Sequence, residues 1–429
     1  MRVLLVSTYE LGHQPLHAAS PAAVLRRRGH EVRCVDLSVE QWDPALVDWA
    51  DKVAFSVPMH TAARLALRAA AGVAKPVCFY GLYAAAGRRV AERTIAGEYE
   101  PALVRWVEGT SGDEPEIQLG RDPHAFALPA RDLLPPLDRY AHLALGGEER
   151  VVGYVEASHG CAHRCRHCPV PVVYDGRIRI VAEDAVLADI ASHVDAGARH
   201  ITFGDPDFLN GVHHSLRIVE AMHTRWPELT FDCTTKVEHI LRHESIWGDM
   251  ARAGCLFVVS AFETVDDSIL DRLDKGHTSA DAARVVTLLR EHGIEVRPSF
   301  MPFTPWTTLE GVRDLLDFVA DHDLIGNVDP VQYTIRLLLP EGSLLLDHPD
   351  LALHLGPYDT ERLTHTWAAA EPEVDALQLQ LAALVESCIA TAESITDTYL
   401  AVRARAGARE LVLAGSSEGR PRLTEPWFC

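Results

Sequence analysis

At 429 residues the chain exceeds one ordinary core, so two domains with a short appendage are expected. Hydrophobic residues at 48% and charged ones at 24% exclude a disordered or fibrous chain. A formal net charge of −21 repels phosphate backbones and anionic bilayers, which disfavours nucleic acid or a membrane surface as partner and favours a small-molecule or protein substrate.

Over residues 1–110 short apolar runs alternate with helical patterns, the signature of a doubly wound α/β domain with a parallel sheet. Val3–Ser7, Glu31–Asp36, Lys52–Val57 and Pro76–Tyr80 read as strands, and Leu16–Arg28 as a helix ended by Gly29. Glycine or proline follows several of these strands, as loops at a ligand-binding edge require. Residues 111–150 change character. Ser111-Gly112-Asp113-Glu114-Pro115 and Leu134-Pro135-Pro136-Leu137 carry turn signals without periodicity and predict a linker.

A second βα series fills 151–345. Its candidate strands are Val151–Glu156, His200–Phe203, Thr230–Thr235, Leu256–Ala261, Val296–Phe300 and Pro330–Leu338, with helices such as Glu183–Ala196 and Asp281–His292 between them. Six units are fewer than the eight of a closed barrel and predict a partial (βα)6 TIM-type barrel, open on one side. Residues 346–429 are expected to be helical, ending in an irregular tail from Pro421 to Cys429. No run of about 18 apolar residues occurs. The start Met1-Arg2-Val3-Leu4-Leu5-Val6 has no signal-peptide architecture, so a cytoplasmic protein is expected.

Of nine cysteines, Cys34, Cys78, Cys233, Cys255 and Cys388 sit in apolar surroundings and read as buried small hydrophobes. Cys161, Cys165 and Cys168 differ. They lie in Gly160-Cys161-Ala162-His163-Arg164-Cys165-Arg166-His167-Cys168-Pro169, directly after the first strand of the second series. Soft thiolates suit iron-sulfur clusters, and three of them on a four-iron cubane leave one iron open to chelate a substrate. Zinc is the rival metal, with His163 or His167 as extra ligands, although structural zinc sites usually pair two ligand couples.

CxxxCxxC in this position resembles the radical S-adenosylmethionine superfamily, over residues 151 to about 340. The resemblance implies a 4Fe-4S cluster whose open iron binds S-adenosylmethionine. One electron then breaks a sulfur-carbon bond and leaves a reactive radical, with a reductant such as flavodoxin or ferredoxin as partner. It also implies a grip on the methionine amine near His200-Ile201-Thr202-Phe203-Gly204-Asp205-Pro206-Asp207, where the family carries Gly-Gly-Glu. Gly204 and either Asp205 or Asp207 are the candidates there. Lys236 and Glu263 sit after strands where the family contacts the methionine carboxylate or ribose, and Arg336, on the sixth strand, could oppose a carboxylate in the barrel mouth.

The N-terminal domain resembles the cobalamin-binding branch of that superfamily, which implies cobalamin at its strand ends. Asp-x-His-x-x-Gly, which would ligate cobalt, is absent. Candidate contacts are Thr8 and Tyr9, then Pro58–Thr61 with His60, and Gly81–Tyr83, with His13 and His17 nearby. Met1–Ser20, Arg199–Asn210 and Pro302-Phe303-Thr304-Pro305-Trp306 further resemble the CUAEP/CCAEP-tail radical S-adenosylmethionine proteins, which end in a Cys-Cys or Cys-selenocysteine pair and Ala-Glu-Pro. Cys429 would be the first member of that pair and a catalytic thiol, with the gene product continuing through selenocysteine; the alternative is a plain terminal thiol. A similar family with a cysteine-rich tail transfers the 3-amino-3-carboxypropyl group to arsenite. The expectation is therefore transfer of a methyl or 3-amino-3-carboxypropyl group to a small thiophilic or carbon acceptor. A cobalamin-dependent radical methylase and a non-enzymatic redox sensor are the alternatives.

Overall fold

The computed structural model describes residues 1–120, 127–411 and 419–424. The first sheet takes β1 (Arg2–Ser7), β2 (Glu31–Asp36), β3 (Lys52–Ser56), β4 (Val77–Tyr80), β5 (Arg93–Gly97) and β6 (Ile117–Gln118) in the order β2-β1-β3-β4-β5-β6, all parallel. β1 is buried from Val3 onward and β4 throughout, as strands covered by helices on both faces must be. β5 escaped the sequence reading, and β6 lies inside the segment expected to be a linker.

One helix shows how a local defect is repaired. Leu16–Arg27 carries Pro21 in its interior, which removes the N–H that would bond the carbonyl of His17. The hydroxyl of Tyr80, from β4, donates to that carbonyl instead, at 2.9 Å. The helix therefore crosses the sheet with its first turn, and His17, held in place.

The second sheet follows from β7 (His142–Leu145) and β8 (Glu148–Val155). A small ribbon, β9 (Ser158–Gly160) with β10 (Ile178–Ile180), brackets the cysteine loop. Then come β11 (His200–Phe203), β12 (Thr230–Thr234), β13 (Cys255–Glu263) and β14 (Glu295–Phe300), parallel to β8 and to one another. β15 (Leu355–Asp359) and β16 (Thr364–Trp367) form a separate hairpin, and β17 (Arg422–Leu423) pairs with β7. The curled sheet runs β14-β13-β12-β11-β8-β7-β17, and its outer face packs on the largest apolar cluster. This is the partial barrel expected from the sequence.

The sixth barrel strand, expected over Pro330–Leu338, is corrected. Pro330–Thr334 is a 3-10 turn, and only one parallel bridge, Phe303 with Arg336, continues the barrel. Pro330 has no N–H to give a ladder, and the side chain of Gln332 accepts from the N–H of Phe300 on β14 at 3.0 Å. A side chain thus takes the place of a strand partner. The expectation of an all-helical region after 346 is also corrected: the β15–β16 hairpin precedes the helices Pro372–Ala390 and Ile395–Ala406.

Arg131, from the segment between the sheets, ties the two halves together. Its guanidinium reaches Asp189 at 2.8 Å, the Tyr154 carbonyl at 2.8 Å and the Gln14 carbonyl at 3.2 Å. A bidentate, nearly buried arginine is the stronger kind of ion pair. No helix among the described residues is long and apolar enough to cross a membrane.

Candidate functional site

The cysteine loop begins where a side chain has no room. Gly160 has φ +73°, and a Cβ there would stand 2.4 Å from the Arg177 carbonyl oxygen, so only glycine turns the chain into Cys161. The middle of the loop is anchored at Arg166. Its N–H donates to the Leu273 carbonyl at 2.9 Å, and its own carbonyl accepts from Leu345 N at 3.0 Å.

Cys161 and Cys165 are buried and Cys168 half-buried. Burial raises the Cys161 thiol and pushes Cys168 up to about 12; Cys161 also feels Cys165, and Cys168 feels both Cys165 and Cys161, as negative charges. The three thiols are therefore electrostatic neighbours on one short loop. Lys275 counters them there: burial opposes its charge, but Glu263 and Cys165 hold its pKa up. Peptide groups of His163 and Val170 favour the thiolate forms of Cys161 and Cys168 respectively. Three neighbouring thiols and an adjacent cation fit a 4Fe-4S cluster. The zinc alternative needs a fourth ligand, and both histidines of the loop are engaged elsewhere: His163 with His239 and His167 with Glu263.

Glu263 ends β13 at a register shift, with φ +63°, a conformation that costs a non-glycine residue energy. The strained turn puts its carboxylate 2.9 Å from Lys275 Nζ and 3.1 Å from His167 Nε2. Burial works against that charge, but Lys275 and His167 overcome it and hold the carboxyl well below the usual range.

The carboxylates after β11 are separately placed. Asp205 accepts from Ala157 N at 2.9 Å and from Ser158 Oγ at 2.6 Å, so it pins the turn leading to the cysteine loop. Burial raises its pKa to about 7. Asp207 Oδ1 accepts from Leu209 N and Thr235 Oγ1, while Oδ2 faces His239 and His163. Lys236 points at the His163 ring, 3.2 Å from Nδ1.

A cavity of about 200 Å³ opens between the C-terminal edges of the two sheets. From the first sheet it takes Glu10, Gly81, Gly97 and Tyr99; from the barrel, Tyr154, Glu156, His159 and Gly204. A chain of charge crosses it. His17 lies 3.3 Å from Glu156, Glu156 lies 3.2 Å from His159, and His159 lies 3.1 Å from Glu98, which also accepts from Tyr174 at 3.0 Å. Burial opposes every charge here, yet pairing wins at four positions: His17 rises to about 9, His159 rises, and Glu156 and Glu98 are held low. At Glu10 burial wins and lifts the pKa to about 7.

Among the residues singled out from sequence, the structure brings together the three cysteines and Glu263, and separately Asp207 and Lys236. Gly81 and Gly204 line the cavity, and a Cβ on Gly204 would collide with the Tyr154 ring. Thr8 is buried and donates to the Ala62 carbonyl, Tyr9 is half-buried outside the cavity lining, and His60 bonds the Arg362 carbonyl. Arg336 lies away from the cysteine loop, paired with Asp375 and the Trp367 carbonyl. Cys429 lies outside the described residues. Sequence reasoning missed Glu10, Glu98, Tyr99, Tyr154, Glu156, His159, His239 and Lys275. The signal for Glu98 and Tyr99 was their place after a strand, but β5 itself was not recognised.

Comparison with known proteins adds the following. Residues 155–319 match the model of the Radical SAM superfamily. The hopanoid C-3 methylase of Methylococcus capsulatus is 22% identical over 329 residues, 68% of this chain and 62% of that protein. The ribosomal protein uS12 methylthiotransferase RimO of Heliobacterium modesticaldum is 24% identical over 185 residues, 39% of this chain and 38% of that protein. The chain therefore spans less than two thirds of the length of these curated relatives. Among solved structures, the cobalamin-dependent radical enzyme OxsB superposes with a TM-score of 0.72 at 14% identity, over 90% of this chain and 67% of that one. The methyltransferase TsrM of Kitasatospora setae superposes with a TM-score of 0.61 at 19% identity, over 75% and 71%. The fold of this chain is theirs.

Proposed function

We propose that this chain, which carries a Radical SAM domain, is a transferase: it cleaves S-adenosylmethionine reductively and moves a carbon group from it, most simply methyl, to a small molecule in the inter-sheet cavity. The observation that carries this is the cavity itself. It is built from both sheets, at the edge where parallel α/β sheets bind ligands, and on the barrel side it includes Gly160, the residue before Cys161.

Three groups are implied. Cys161, Cys165 and Cys168 would hold a 4Fe-4S cluster; S-adenosylmethionine would lie between it and the barrel mouth. Cobalamin, present in structures of OxsB and TsrM, would lie along the first sheet's edge. There Gly81 and Gly97, both lining the cavity at positive φ and both without a side chain, leave bare backbone that a broad flat ring can approach. When bound, these groups supply reductive bond cleavage and a methyl carrier.

The chain's own residues do the rest. Lys275 balances thiolate charge, and Glu263 holds Lys275 and His167 in position beside it. Tyr99, Tyr154 and Tyr174 wall the cavity against water. His17, Glu156 and His159 hold one another's charges, so the lining is polar yet internally compensated. Glu10, poised near neutrality, can take or give a proton at its carboxylate. The electron would come from a small redox protein such as a flavodoxin or ferredoxin.

The test is anaerobic reconstitution with iron and sulfide, addition of dithionite and S-adenosylmethionine, and product identification, with protein made in the presence of hydroxocobalamin. Expected are 5′-deoxyadenosine or S-adenosylhomocysteine, and cobalt that copurifies. Methylthioadenosine without cobalt would replace methyl transfer by aminocarboxypropyl transfer. Failure to form any cluster would overturn the reading.

A further inference from the structure

Asp207 is wholly buried, and only half of its carboxylate is explained. Oδ1 is fixed by Leu209 N at 3.0 Å and Thr235 Oγ1 at 2.7 Å. Oδ2 has no hydrogen-bond partner, although a buried carboxylate oxygen left unpaired is costly. His239, on the helix Val237–Arg242 that follows β12, places Nδ1 only 2.9 Å from it. That nitrogen is also buried and also makes no hydrogen bond, so the ring does not aim an N–H at the oxygen. Two unpaired ligand atoms at this separation suit a third atom bound to both. His163, from the cysteine loop, adds Nε2 at 3.6 Å from Oδ2; this atom also meets His239 Nε2 at 3.1 Å, a contact that a metal on it would replace. The three ligand atoms lie within 4.8 Å of one another.

The spacing matches a small cation. Nitrogen and oxygen ligands about 2.1 Å from a first-row divalent ion stand about 3.0 Å apart at a right angle and about 3.4 Å apart in a tetrahedron. Two imidazoles and one carboxylate are a ligand set for zinc or iron(II), and three protein ligands leave a coordination position open. The surroundings are also suitable. A metal on Nε2 leaves His163 with a proton on Nδ1, and the Glu238 carboxylate lies 3.7 Å from that nitrogen to receive it. Lys236, now 3.2 Å from Nδ1, keeps Glu238 as its counter-ion at 3.5 Å.

We propose that His163, Asp207 and His239 bind one divalent first-row cation, zinc or iron(II), at a site separate from the three cysteines. The ion ties the cysteine loop to the ends of two barrel strands. Asp207 is then a metal ligand rather than a contact for the methionine amine.

The experiment reads metal content, not turnover, so its outcome is independent of the proposed reaction. Protein reconstituted with iron and sulfide is dialysed against zinc sulfate, or anaerobically against ferrous sulfate, and analysed by mass spectrometry of the metals. One equivalent beyond the cluster is expected, zinc or iron according to which is supplied and retained. Asp207→Asn keeps the Oδ1 contacts and His239→Ala removes a ring; each is expected to lose that equivalent while retaining the visible absorption of the cluster. Cobalt(II) supplied in place of zinc is expected to show d–d bands without thiolate charge transfer. No extra equivalent in the parent protein would overturn the proposal. So would an equivalent undiminished in Asp207→Asn, or a cobalt spectrum with thiolate charge transfer that disappears in Cys161→Ala.

Discussion

Two buried charge sets, one beside the cysteines and one in the inter-sheet cavity, are balanced in opposite ways. Beside the cysteines, one carboxylate, Glu263, serves two potential cations, Lys275 and His167. In the cavity, Glu98 and Glu156 serve His17 and His159, with Glu10 held near neutrality by burial. The first set leaves its lysine shared between Glu263 and the thiols, since Lys275 also feels Cys165 and Cys168. The second closes on itself. A wall whose charges are already paired presents dipoles rather than net charge, and it suits an uncharged or amide-rich occupant better than an anion. The same costs of burial thus yield a site for charge in one place and a shielded chamber in the other.

The difference breaks most completely at the cysteines. Cys165→Ala is expected to abolish cluster formation and S-adenosylmethionine cleavage together, read by visible absorption and product analysis; cleavage surviving in that variant would remove the premise. Next in size is the centre of the cavity. Glu156→Gln leaves His17 and His159 without their shared carboxylate, and removing one member of a buried pair costs ~3 kcal/mol or more. A clear drop in denaturation midpoint is expected, with the cluster still able to assemble. An unchanged midpoint would mean that the histidines shed their protons and that the chain of charge does not exist in solution.

The cavity set also predicts a pH signature between the ordinary histidine range and about pH 9. His17 moves from 6.5 to about 9 on folding and Glu10 from 4.5 to about 7, so both bind protons more tightly in the folded state. Their contribution is complete below the unfolded values and is lost as pH rises through the folded ones. Glu156 acts in the other direction: its contribution is present above about 4.5 and fades as pH falls. Melting temperature should therefore decline between about pH 7 and about pH 9, and His17→Gln should flatten that decline. An equal decline in both proteins would place the titration elsewhere. A smaller steric test is Gly204→Ala. Its Cβ would meet the Tyr154 hydroxyl at 1.9 Å and push the ring off Glu156, an overpacking cost of ~1–3 kcal/mol.

How much of this was legible in the sequence follows from what each signal consists of. The cysteine triplet announces itself because chemistry demands three thiolates on one loop, and β11 and β2 were read to the residue because apolar runs bounded by polar turns mark a buried strand. The cavity network was not legible. Glu98 and His159 are far apart in the chain, and their partnership exists only because β5 and the cysteine loop meet across the interface. Asp205 and Asp207 were alternatives from sequence, and only the fold separates the one that pins a turn from the one that faces His239. Pro330–Leu338 failed for the converse reason: its apolar pattern suits a strand, and a proline with no N–H and a competing glutamine side chain decided otherwise.

Arg336 draws the finest line between the two regions, because its sequence position places it with the cluster and its contacts place it with neither. Its guanidinium stacks 3.4 Å from the centre of the Trp367 ring and is held by Asp375 and the Trp367 carbonyl, on a side chain 30% exposed. A partly exposed ion pair contributes ~0–1 kcal/mol, and a cation over an exposed ring adds ~0.5–1 kcal/mol. Arg336→Ala should therefore lower stability by ~1 kcal/mol and leave cluster content and the KM for S-adenosylmethionine unchanged. A several-fold rise in that KM would mean the arginine leaves Asp375 when substrate binds. The curled sheet would then close further than the bridge between Phe303 and Arg336 now shows.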